Sequence, residues 1–480
     1  MVFSSPVFLF YFLPVFLLLY FLTPPRWRNL PALVASLFFF AWGAPSFVYV
    51  LIATCFADFT ASKWLPRGKL PARKRKLLLS AMLTLDLGIL LYFKYANFFV
   101  EQVWEMMDWV GLPQFSWMQV VLPIGISFFT FQKVSYLVDV YRGTAQPARS
   151  AGRHLLYISL FPQLIAGPIV RYHDVSVELD HRSTSSGLFL DGLWRFSIGM
   201  AKKVLIANAF AHMADAVFGA DPGVLTTPQA WVGMLAYTFQ LYYDFAGYSD
   251  MAIGLGRMMG FHFLENFNFP YASKSIGEFW RRWHISLGRF MMEYLYVPLG
   301  GNHGSHRKTI RNLWLVFLAS GFWHGASWTF VLWGFWHGTL ISIEKSIGAD
   351  RMKRIPRPVA LAVTFLLVAL GWVLFRSESL PRAGEFYALL FGLGSSGEGL
   401  IVFPELLADR NLWVVAAIAI PCAFAPALRL ERFLPHDPKN PDALPMISVI
   451  LRFLLSLLIL VVAASELMAS DFNPFIYFRF

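Results

Sequence analysis

The sequence predicts an all-α, polytopic membrane protein, and three observations carry that prediction. Of its 480 residues 57% are hydrophobic and only 14% charged, with a mean hydropathy of +0.54; a soluble domain carries about 25% charged residues. Its apolar runs are continuous and helix-length, as in 2–22 and 446–469, unlike the short alternating segments of a membrane β-barrel. Its cations gather in short loops between those runs, so the net charge of +11 reports orientation and contact with lipid headgroups, not nucleic acid. Cys55 and Cys422 sit far apart in apolar runs, with neither disulfide nor metal spacing.

Taken in order, residues 2–22 form an uncleaved first span, because no basic stretch precedes them and no small-residue cleavage site follows. A second span covers about 30–43 and a third ends near 62. The next loop holds Lys63, Arg67, Lys69, Arg73, Lys74, Arg75 and Lys76, the strongest orientation signal in the chain. It is expected in the cytoplasm, which places the N-terminus outside. Residues 77–100 carry Asp86 and Lys94, two turns apart on one helix face, an expected ion pair. Ser127, Thr130, Gln132, Lys133, Ser135 and Asp139 within 122–141 predict a helix turned to the protein interior. Residues 154–170, broken at Pro162 and Gly167-Pro168, read equally as a short span or a re-entrant helix, with a loop or surface helix over 171–186. Spans at about 187–210, 228–260, 310–322, 325–346, 357–377, 411–428 and 446–469 bring the total to about 11–13 membrane-embedded helices. They are expected to form a single membrane domain over residues 1–480.

Residues 275–298 differ: they are predicted to form an amphipathic helix that lies in the interface or covers a cavity and does not span. At about 100° per residue, Phe279, Trp280, Trp283, Leu287 and Phe290 share one side and Glu278, Arg282, Arg289 and Glu293 another. His284 falls on the flank of the apolar side.

Ionisable groups at membrane depth are the first candidates for function. Gly321-Phe322-Trp323-His324-Gly325 sets an imidazole between glycines that let a backbone approach, with Trp323 and Trp328 to exclude water. His284 supplies a second imidazole upstream. His337, in Phe335-Trp336-His337-Gly338, has surroundings like those of His324, and a bond to a neighbouring helix carbonyl explains either equally well. Asp244 and Asp250 lie in an otherwise apolar helix and need partners, Arg257 or Arg282 being the expected ones. His303 and His306 are the closest histidine pair, in a basic loop without cysteine, so no metal site is expected. No serine nucleophile elbow, P-loop or dinucleotide fingerprint is present.

The stretches Met1–Ser5, Tyr92–Phe99, Leu122–Gln132, Phe161–Arg171, Asp244–Gly254, Ile276–Leu287, Gly321–Ala326 and Pro474–Phe478 together resemble the membrane-bound O-acyltransferase family. The likeness is to its bacterial exopolysaccharide O-acetyltransferase branch, of alginate type. One departure stands out: relatives often show Trp-Phe-Arg-Asp-Tyr where this chain reads Phe290-Met291-Met292-Glu293-Tyr294, so no arginine at 292 meets a donor phosphate.

The resemblance implies a bundle with interfacial and re-entrant helices around a central tunnel, its catalytic core at about 120–345, in a bacterial inner membrane. It implies transfer of an acetyl group from cytoplasmic acetyl-CoA, with no bound cofactor, to an extracytoplasmic glycan. An alginate-like glycan fits best, and cellulose or peptidoglycan also fits. A periplasmic SGNH-type acetyltransferase or polysaccharide-modification complex is the implied partner, beside membrane lipids. His324 matches the family's histidine and is the expected general base; His284 matches its second polar position, suited to orienting groups or stabilising an oxyanion. Arg281, Arg282, Trp323, Asp244 and Gln163 are the candidates for holding donor or substrate, although headgroup contact explains the arginines equally well. D-alanyl or other acyl transfer within the family is the alternative. A transporter or channel is another, but no matched pair of broken helices marks two halves.

Overall fold

Apolar runs cut by Pro, Gly and Ser become helices, and their ends fall close to the breaks the pattern predicts. The structure, a computed structural model, describes residues 1–394, 399, 403–426, 442, 445–469 and 475–476; among these every regular element is helical. His436 and most of the 474–478 motif lie outside the described residues. The chain divides into two compact units, Met1–Ser183 with Gly260–Phe263, and Thr184–Met259 with Leu264–Phe480.

The first unit contains α1 (Leu13–Leu22), α2 (Asn29–Gly43), α3 (Phe47–Ser62), α4 (Ala72–Trp109), α5 (Ile126–Arg142), α6 (Ala151–Ser159), α7 (Phe161–Leu164) and α8 (Tyr172–Asp180). α4, at 38 residues, is far longer than the expected span and than the ~20 residues a bilayer needs. α5 lies between left-handed glycines, Gly125 (φ 78°) and Gly143 (φ 84°), and is buried along nearly its whole length, as its polar residues required. Lys133 on α5 reaches Asp58 on α3 at 3.2 Å and also pairs with Asp86 on α4. This corrects the expected Asp86–Lys94 pair. Eight residues rise about 12 Å along a helix, so Asp86 turns to the neighbouring helix, while Lys94 approaches Ser127 Oγ at 3.5 Å. Residues 154–170 form a broken helix. α6 is capped by the Ser150 hydroxyl, and α7 sets the Phe161 ring 5.3 and 5.1 Å from Phe12 and Phe16.

In the second unit α9 (Ser186–Met200) continues through a π-helical stretch into α10 (Asn208–Gly219), beyond the expected end near 210. α11 (Thr227–Met258) starts at a capping box between Thr226 and Gln229. A Cβ on Gly192 would fall 2.6 Å from the Gly254 carbonyl, and one on Gly199 2.6 Å from that of Gly247, so α9 and α11 pack at a distance only small residues allow. That contact lays the acids of α11 on the cations of α9. Asp250 meets Arg195 (2.7 Å) and Lys202 (2.6 Å), and Asp244 meets Lys203 (2.6 Å). The partners expected from sequence are engaged elsewhere, Arg257 with Asp191 and Arg282 with Glu278.

Beyond α12 (Ile276–Arg282) and α13 (Ile285–Met291) come α14 (His306–His324) and α15 (Trp328–Ile347). They are followed by α16 (Ala349–Met352), α17 (Arg357–Arg376), α18 (Leu380–Leu390), α19 (Phe403–Ala408), α20 (Arg410–Phe424) and α21 (Met446–Ala469). Among the described residues α4, α17 and α21 are long and apolar enough by themselves to cross a membrane. α9 and α10, at 15 and 12 residues, are too short to cross a membrane by themselves, and α11 carries the paired Asp244 and Asp250.

Candidate active site

His284 marks a break in the interfacial segment. α12 begins on the Ser275 hydroxyl, which accepts from the Glu278 amide at 3.1 Å, and stops at Trp283. His284 then adopts φ 45°, ψ 54°; among the described residues the only other non-glycine with positive φ is Phe269. Residues 275–298 are thus two short helices and a π-helical turn (Met292–Tyr296), not the continuous helix expected. The cause is a clamp. The Asn266 carbonyl accepts the Ile285 amide (2.9 Å), and its side-chain oxygen accepts the Ser286 amide and hydroxyl (3.2 and 2.9 Å). His284 Nδ1 accepts from the Leu287 amide at 3.3 Å. A non-glycine held left-handed costs about 1–3 kcal/mol and persists only where its surroundings over-determine it. Because Nδ1 accepts, the proton sits on Nε2. That N–H has no hydrogen-bond partner among the described residues, on a side chain buried to 1% exposure.

His324 is the last residue of α14, followed by an extended Gly325. Gly321 admits the close backbone approach expected, whereas Gly325 makes room for a ring. A Cβ on Gly321 would lie 2.4 Å from the Phe330 carbonyl, and one on Gly325 2.1 Å from the Phe330 ring. The imidazole packs against Trp323 (4.8 Å between centroids), Trp333 (5.1 Å) and Phe375 (5.1 Å). Trp328, expected to help exclude water, is 51% exposed, whereas the rings against His324 belong to the buried Trp333 and Phe375. Trp323 also lies 6.2 Å from the His284 ring, so both imidazoles flank one indole. His337 meets Trp333 as well (5.0 Å), but inside a box closed by Trp280 (4.9 Å) and Trp372 (6.3 Å), with no exposure.

At the α16 end of α15 a cavity of about 1240 Å³ opens, lined by Lys274, Arg281, Lys345, Lys353, Arg354 and Arg357 against Glu278 and Glu344. Arg281 is part of this lining. Arg282 instead bonds Glu278 (2.7 Å) and the Asn268 carbonyl (3.2 Å). Partial burial pushes the Glu278 carboxyl up, but the Lys274 amide and the Arg282 guanidinium outweigh that and hold its pKa below the ordinary value. From Trp333 to Glu344 is eleven residues of α15, about 17 Å. Asp244 gives its oxygens to Lys203 and to the Ile476 amide (2.7 Å). Gln163 belongs to the first unit, fully buried, its amide donating to the Tyr157 carbonyl at 2.5 Å. No group of His, Cys, Asp and Glu fit to hold a metal occurs among the described residues. Sequence reasoning missed Asn266, Trp333, Phe375 and the cations of 345–357. Trp333 shares a helix face with His337 at i,i+4, a signal that was available; Asn266 had none, since its clamp spans twenty residues.

The family model for membrane-bound O-acyltransferases matches residues 150–374. A protein of Pseudomonas putida named "Probable alginate O-acetylase" is 41% identical over the full length of both chains. Its namesake in Pseudomonas aeruginosa is 45% identical over 82% of this chain and 76% of its own. A peptidoglycan O-acetyltransferase of Helicobacter pylori is 37% identical over 82% of this chain and 80% of its own.

Proposed function

Because the chain belongs to the membrane-bound O-acyltransferase family, we propose that it moves acetyl groups from cytoplasmic acetyl-CoA to an extracytoplasmic, alginate-like polysaccharide. One observation supports this above others: the α14–α15 hairpin carries a buried histidine near its tip and a cationic cavity near its base. The cavity holds the anionic head of the donor, and the extended thioester arm runs along the about 17 Å of α15 from Glu344 to Trp333, whose ring packs on His324. His324 acts as general base. It takes the proton of the acceptor hydroxyl as the oxygen attacks the thioester carbonyl, and returns it to the departing thiolate, so no net proton is consumed. The unpaired Nε2–H of His284 donates to the carbonyl oxygen as its charge develops. Trp323, Trp333 and Phe375 keep out water that would hydrolyse the thioester. The protein lies in the inner membrane with its N-terminus outside, and a periplasmic SGNH-type acetyltransferase takes up or passes on the acetyl group.

The donor half of this reading is tested by binding radiolabelled acetyl-CoA to the purified protein. Changing Lys345, Lys353, Arg354 and Arg357 together to glutamine should weaken binding by a factor of ten or more, each lost charge–phosphate contact being worth about 1 kcal/mol. The turnover rate at saturating donor should change little. Unchanged affinity would remove the cavity from the donor site.

A further inference from the structure

We infer that Asp58 and Asp86 share one proton, and that with Lys133 they form a buried proton-binding site joining α3, α4 and α5. The site lies within the first unit and is independent of the reaction proposed above. Its charges do not balance. Lys133 Nζ lies 3.2 Å from Asp58 Oδ2 and also pairs with Asp86 Oδ1. Both carboxyl side chains have no exposure, and that of Lys133 has 3%. Among the described residues no other cation lies within ion-pair distance of either acid. One ammonium against two carboxylates leaves a surplus negative charge. The buried acids of the second unit are supplied differently: Asp244 has Lys203, Asp250 has Arg195 and Lys202, and Asp191 has Arg257 and Arg452.

Depth makes that surplus costly. Asp86 follows Lys76, the last cation of the loop expected in the cytoplasm, by ten residues of α4, about 15 Å. That is half of a hydrocarbon core about 30 Å thick, where water does not solvate an unpaired charge. A carboxyl group so placed takes up a proton and becomes neutral. The neighbours supply no other counter-charge. Cys55 stands one turn before Asp58 and would add negative charge if ionised. Tyr136 shares a hydrogen bond with Ser62 Oγ at 2.7 Å. His154 packs on Tyr136 at 4.1 Å, its ring nitrogens without acceptors to hold an imidazolium, and the Lys133 charge opposes a second cation there.

Both acids bind the same nitrogen, so their carboxyl groups face each other across it. Asp58 Oδ1 and Asp86 Oδ2 bond to no other described group, and the two acids stand within hydrogen-bonding reach of each other. A proton on one acid can therefore donate to the other while Lys133 stays paired with both.

The test applies infrared spectroscopy to the full-length protein in nanodiscs, because a protonated carboxyl group has a carbonyl stretch that carboxylates lack. Wild type carrying carbon-13 in its aspartate carboxyl groups should show that band, displaced by the label, with the intensity of a single group. Asp58→Asn and Asp86→Asn should each abolish it, since the remaining carboxylate and Lys133 then balance. Asparagine has nearly the shape of the protonated acid, so each single variant should keep the wild-type thermal transition. The double variant leaves Lys133 unpaired and should unfold at a lower temperature. Wild type without the band, or single variants that keep it, would overturn the inference. A clearly raised transition in both single variants would also overturn it, because relief of a surplus charge would then be the cause. So would a wild-type transition that rises with sodium or potassium while no band is seen, which would make a metal cation the occupant. Labelled wild type alone decides the matter if a variant does not fold. No readout depends on turnover, so failure of the proposed function leaves the result untouched.

Discussion

At the scale of single residues, the proposed chemistry rests on two imidazoles with different constraints. His284 uses Nδ1 to cap α13, and its Nε2–H has no partner among the described residues, so it is free to donate. His284→Asn tests this, because asparagine tolerates the left-handed backbone and caps helices. The variant should fold, and its kcat should fall about 10²–10³-fold while donor binding holds. Wild-type turnover in His284→Asn would exclude the oxyanion role. The local setting of His324 was legible from Gly321 to Gly325, since close backbone approach is written in adjacent glycines. What set His284 was not legible: a helical wheel assumes an unbroken helix, and the break is imposed by Asn266, remote in sequence. Asp86 and Lys94 failed as a pair for a related reason, since the better partner, Lys133, lies on another helix.

At the scale of elements, two contacts hold the functional parts in register. The α14–α15 hairpin closes over Gly321 and Gly334, where added Cβ atoms would fall 2.4 and 2.5 Å from the Phe330 and Phe317 carbonyls. Gly321→Ala must therefore spread the hairpin, at about 1–3 kcal/mol. It should lower the thermal transition in detergent and reduce turnover together; an unaltered transition would mean that the helices are not packed this closely. In the first unit Lys133 bridges Asp58 and Asp86 between three helices. Lys133→Met leaves two buried carboxylates uncompensated and should cost about 3–5 kcal/mol, whereas also changing Asp58 and Asp86 to asparagine should restore most of that loss. Unfolding transitions of the single and triple variants measure the difference. The span limits of α2, α3, α17 and α21 were readable because hydropathy is local. The cationic cavity was not, because Arg281 on α12 meets the cations of 345–357 only after folding.

At the scale of the whole molecule, family membership and the charge pattern give the account its direction across the membrane. The loop from Lys63 to Lys76 is expected in the cytoplasm, the side that holds the proposed donor, acetyl-CoA. A cysteine placed at Lys69 should react with an impermeant maleimide only after the inner membrane is opened; labelling in intact spheroplasts would reverse the topology. The central claim, that His324 is the base of an acetyl transfer ending on cell-surface polysaccharide, is tested most directly in a deletion strain. That strain is complemented with wild type or with His324→Ala, both expressed at equal levels in the membrane. Wild type should restore the O-acetyl content of the secreted polysaccharide, and His324→Ala should leave it at the deletion level, a general base contributing about 10²–10⁴-fold. Full acetylation with His324→Ala would contradict the account.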